Sequence, residues 1–150
     1  MSRVVDVATE SVRIPVARAR VARVADRVLR AEGIRHAALS IAFVTDRRIA
    51  ALNWRHLGHR GPTDVISFGF APSHDGAPLE GDIYIAPDVA RRNALATHRG
   101  AREELLRLVV HGVLHVVGHD HPEGERRYES VMWQRQEALL GAVMRSEARA

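Results

Sequence analysis

The apolar positions along the chain follow two periods, one strand-like and one helical. "RVVDVATE" near the start alternates apolar and polar residues and predicts a short strand. Pro15 then opens a predicted helix that runs to about Glu32 and stops at Gly33. Val21, Val24, Ala25 and Val28 fall on one side of that helix, and Arg20, Arg23, Arg27 and Arg30 on the other. The arginine side is either a solvated face or a stripe that meets phosphates. "AALSIAFV" is apolar and rich in β-branched residues, which predicts a central strand. Thr45 or Asp46 caps the short helix "RRIAALNWR" that follows.

"HLGHRGP" reads as a loop from its glycines and proline. In "TDVISFGF", Val65, Ser67 and Gly69 alternate against Ile66, Phe68 and Phe70, and "DIYIAP" is a further strand. The turn-rich "APSHDGAPLEG" between them allows a hairpin. Pro87 and Asp88 start the helix "DVARRNALATH". Ala101 to Val117 forms a longer helix, with Glu103 and Glu104 in its first turn and Gly118 as its stop. Its later half is apolar nearly all round, so it is expected to be buried. A last amphipathic helix is expected from about Pro122, with a fraying tail "RSEARA". This order predicts an α+β domain spanning 1–150: a small four-stranded mixed sheet packed with about five helices, one of them buried. The histidines on that helix add the expectation of a zincin-like metal site.

Composition narrows this picture. The chain of 150 residues is 46% hydrophobic, enough for one real core. It has no cysteine, which excludes disulfides and thiolate metal sites. No apolar run approaches the ~20 residues of a membrane span, and "MSRVVDVATE" has no apolar leader, so a soluble cytoplasmic protein is expected. Net charge is +4, and all 22 basic residues are arginine. Base composition of the genome accounts for most of that bias. A basic balance still favours a polyanionic partner.

The chemistry is concentrated in "HGVLHVVGHDH". His111 and His115 are four residues apart on the predicted helix, so they point within about 40° of each other, one turn apart. That is the spacing by which two imidazoles share an ion. His121 follows the Gly118 break, where a turning chain brings a third imidazole back. Three neutral nitrogens with one open position describe a catalytic zinc site. The spacing matches the metzincin protease signature except that Gly112 stands where those enzymes carry their glutamate base. His119 is expected to support the site or face solvent, and Asp120 to orient an imidazole or hold the turn.

The same stretch resembles the H-G-x-L-H-L-x-G-x-D-H signature of the YbeY family, the ribosomal-RNA maturation endoribonucleases of bacteria. "LNWRHLGHRGPTDVISF" and "GDIYI" resemble two further segments of that family, and the resemblance spans about residues 40–140. It implies His111, His115 and His121 as ligands of one zinc ion. It implies a hydrolase of single-stranded RNA, acting in ribosomal RNA processing and ribosome quality control, with the ribosome or its proteins as partners. Where many members carry an arginine before the PTD segment, this chain has Leu57. Arg55 and Arg60 lie nearby, and Thr63 and Asp64 are candidates to line the cleft. Tyrosine is frequent in the family where His119 stands. No side chain is singled out as general base. Two other readings stay open: an RNA-binding assembly factor with a structural metal, and a zinc amidase or peptidase.

Overall fold

A computed structural model describes residues 2–121 and 124–148. The elements in chain order are β1 (Ser2–Thr9), α1 (Arg18–Ala31), β2 (His36–Phe43), α2 (Asp46–Leu57), β3 (Val65–Phe70), β4 (Leu79–Ile85), α3 (Pro87–Ala96), α4 (Ala101–Val117), a 3-10 turn (Gly124–Glu129) and α5 (Val131–Ala148). The strands form one sheet in the order β1-β2-β4-β3. β1 and β4 both run parallel to β2, which is central as expected. β3 pairs antiparallel with β4, from Val65 opposite Ile85 to Phe70 opposite Glu80, closing the predicted hairpin.

The alternation read in the sequence sorts the two faces of this sheet. Leu39, Ile41, Ile83 and Ile85 point to a core shared with α1, α4 and α5. Ala42 and Ile66 point to the opposite face, where Ile49 and Leu52 of α2 cover them. Helix α4 runs through the larger core. Leu106, Val109, Val110, Val113 and Leu114 are all fully buried, each contributing roughly 1.5–3 kcal/mol. Its bounds match the expected ones, because Gly100 and Gly118 flank it and Gly118 turns at a φ of 122°.

The approach of α4 to the sheet is set by glycines. A Cβ on Gly112 would lie 2.7 Å from Cγ2 of Ile83 and 3.2 Å from Oγ of Ser67. A Cβ on Gly81 would lie 2.5 Å from Cγ1 of Val116. Both backbones therefore sit where no side chain fits.

Two element boundaries differ from expectation. The first helix begins at Arg18 rather than at Pro15. Ala17 is extended and makes no side-chain cap, while Val16 is already buried in the core. The last helix is interrupted. Its expected start at Pro122 lies outside the described residues, and the 3-10 turn is separate from α5. Ser130 separates the two, its hydroxyl accepting from the backbone N–H of Trp133 as an N-cap.

Candidate metal centre

His111 and His115 occupy successive turns of α4, and His121 arrives from the segment beyond Gly118. The three rings face one another with centroids 4.6, 5.1 and 5.0 Å apart. One ligand nitrogen from each lies within 4.8 Å of the others, so the three could hold one metal ion.

The protonation state suits that role. Burial, and then the neighbouring His115, push the His111 imidazole down to about 4. Burial and His121 lower His115 as well. Nδ1 of His115 lies 3.0 Å from the carbonyl oxygen of His119, an acceptor only. Nδ1 therefore carries the hydrogen and Nε2 keeps its lone pair. Nδ1 of His111 makes the equivalent bond to Oε1 of Gln136 at 2.7 Å. An uncharged, tautomer-fixed imidazole pair with a third imidazole beside it fits a borderline-soft divalent cation.

The segment beyond Gly118 is itself tied down. The His119 ring pairs with Glu32 at the end of α1, and Glu32 also accepts from Nε of Arg135 in α5 at 3.0 Å. His119 thus supports the site, through its carbonyl and this anchor. The Asp120 carboxylate accepts from the backbone N–H of His121 at 2.8 Å, which is turn chemistry.

The histidines line a cleft of about 660 Å³. Thr63 and Asp64 line it too, as expected. Burial raises the Asp64 carboxyl above its ordinary value, against the hydrogen bonds from the backbone N–H groups of Val65 and Asp64. Arg55 and Arg60 do not line it; Arg60 sits over the Trp54 ring at 5.0 Å instead. The arginine stripe of α1 is also elsewhere. Arg23, Arg27 and Arg30 border a separate groove that shares no residue with the cleft. The arginines that line it are Arg99, Arg107 and Arg127; Arg127 is exposed and stacks on Tyr128 at 4.9 Å, with Trp133 edge-on to that tyrosine.

Nothing in the sequence pattern singles out Arg127, Tyr128, Trp133, Gln136, Glu137 or Arg107 as part of the cleft, and Glu104 is expected only as a first-turn acid. Glu104 and Arg107 are only 8% and 6% exposed, joined at 2.8 Å. Their spacing, an acid followed three residues later by an arginine on one helix, was the available signal for that pair.

The family model for Endoribonuclease YbeY matches residues 5–144. The chain belongs to this family. Among YbeY relatives, all named Endoribonuclease YbeY, one from Thermobifida fusca is 36% identical, and the alignment covers 95% of each chain. One from Frankia casuarinae is 38% identical over 91% of this chain and 72% of its own length. One from Frankia alni is 39% identical over 71% of this chain, a match that spans 63% of that relative. A solution structure of a Thermotoga maritima protein has the same fold, with a TM-score of 0.63 over 97% of this chain and 91% of that one at 23% identity. Among the described residues no helix is long and apolar enough to cross a membrane.

Proposed function

We propose that this YbeY-family chain is a zinc-dependent endoribonuclease specific for single strands. In this reading one domain spans 1–150, and it matures ribosomal RNA and guards ribosome quality in the cytoplasm, in contact with the ribosome or its proteins. The observation that carries the reading is the set of three converging imidazoles in an arginine-bearing cleft, in a chain of this family.

His111, His115 and His121 would hold the ion. When bound, it supplies Lewis acidity, making water a nucleophile near neutral pH and offsetting charge on a phosphoryl oxygen. The chain's own residues account for the substrate. Arg127 presents a planar fork at the mouth, suited to a phosphate. Tyr128 and Trp133 offer ring faces for unstacked bases, which a single strand provides and a duplex does not. Asp64, less acidic than an ordinary carboxylate, is the cleft group best suited to hold or pass a proton.

Gly112 argues against the amidase or peptidase reading, since no carboxylate fits where Ile83 and Ser67 press on it. The separate α1 groove, with Arg23, Arg27 and Arg30 exposed on its rim, supports an additional RNA-docking role in ribosome assembly.

The test is elemental mass spectrometry on untagged wild type and His115→Ala, followed by RNA cleavage. About one zinc per chain in wild type, with metal and cleavage both lost in the variant, is the expected result. A metal-free wild type that takes up no added zinc, or a His115→Ala protein with full cleavage, overturns it.

A further inference from the structure

The two ligand histidines on α4 are held by different means. His115 leans on a backbone carbonyl, which almost any sequence would supply. His111 leans on the side chain of Gln136, which is 1% exposed and lies on α5. An amide side chain presents either an acceptor or a donor, and only the acceptor makes His111 an Nδ1–H tautomer.

What stands behind Gln136 removes the ambiguity. Nε2 of Gln136 lies 3.0 Å from Oε2 of Glu137, a carboxylate that accepts only. Arg107, a group that only donates, reaches that carboxylate with Nε at 2.9 Å and Nη2 at 3.0 Å. Its Nη1 donates to Glu104 at 2.8 Å. The Gln136 NH₂ must therefore face Glu137, and its carbonyl must face His111. The Glu137 carboxylate thus accepts from Arg107 on one side and from Gln136 on the other, and donation runs from the His111 Nδ1–H through the Gln136 amide to that carboxylate.

Stability alone does not explain this arrangement. A buried polar chain is commonly no more stable than an apolar filling of the same volume. Leucine or methionine at 136 would fill the space with no polar group to satisfy.

We propose that Gln136 is a positioning residue, oriented by Glu137 and Arg107, that fixes His111 as the Nδ1–H tautomer and thereby sets the affinity of the three-histidine site for a divalent cation. The inference rests on the three-histidine reading above, and its test separates the two.

Zinc affinity is measured by competition with a chromophoric chelator, and the His111 tautomer by nitrogen NMR of the zinc-free protein at pH 7.5. Wild type is expected to show the Nδ1–H form. Gln136→Leu is expected to lose that preference and to bind zinc about 10–100-fold more weakly. Glu137→Gln alone frees the amide to turn and gives a smaller loss. The exchange Gln136→Glu with Glu137→Gln keeps an acceptor toward His111 and another toward Arg107, so it restores affinity to within a few-fold of wild type.

A folded Gln136→Leu protein with wild-type zinc affinity overturns the positioning role while leaving the site intact. A wild type that binds no zinc overturns the site itself. Should Gln136→Leu fail to fold, the wild-type tautomer and the exchanged pair still decide, since an Nε2–H His111 or an exchange without rescue refutes the proposal.

Discussion

The two sides of helix α4 are built on opposite principles. Toward the sheet it is dry and closely fitted, with Gly112 against Ile83 and Ser67, and Val116 against Gly81. Toward α5 and the cleft it carries charge and hydrogen bonds, in Glu104, Arg107, His111 and His115. The sheet side is set by close fit and tolerates no added atom. The polar side asks for particular donors and acceptors, each satisfied by a named partner. Because both sides share one rigid helix, close packing on the first fixes where the imidazoles of the second stand.

That contrast can be broken from either side. The largest effect is expected from His115→Ala, which removes one of the three proposed ligands: RNA cleavage is expected to fall to background and bound zinc to be lost, while circular dichroism stays native. Next is Gly112→Ala, whose added methyl meets Cγ2 of Ile83 and Oγ of Ser67. It is expected to destabilise by about 1–3 kcal/mol through overpacking, read as a fall in Tm of several degrees, and to loosen zinc binding because His111 moves with the backbone.

Arg127→Gln tests the mouth of the cleft. It is expected to raise KM for single-stranded RNA several-fold and to reduce the salt slope of binding by about 1, with Tm unchanged. Arg23→Gln, in the other groove, should leave cleavage of a short oligonucleotide unaltered.

The smallest effect is on acid stability. Burial alone would raise Glu137, but the hydrogen bonds from Arg107 and Gln136, with the charges of Arg107 and Arg99, together outweigh it and hold the carboxylate below its ordinary value. A carboxylate depressed in the folded state stabilises above its unfolded value and loses that contribution as pH falls through the folded one. Urea unfolding should therefore show wild type losing stability below about pH 4.5, and Glu137→Gln should show a shallower loss over that range.

The fold was legible where a residue's role is local. Val65 to Phe70 alternate in the chain and in space, and Ala101 to Val117 end where glycines flank them. The start of α1 was not legible, because Ala17 gives no capping signal. The convergence of the three histidines was readable because two of them sit one helical turn apart and the third follows a glycine. Gln136 was not, since 25 positions separate it from His111 and only the packing of α5 on α4 brings them together. Arg127 was not legible for the related reason that one arginine among 22 carries no pattern.

The space around Gly112 also bears on how such a chain could change its trade. The histidine spacing alone would put a peptide-cleaving enzyme one codon away, by Gly112→Glu. With Ile83 and Ser67 pressed against that backbone, the first step of the route is a folding defect. Any lineage crossing it would have to hollow out the strands beneath before gaining the acid, so the two hydrolytic trades are separated by a valley rather than a step.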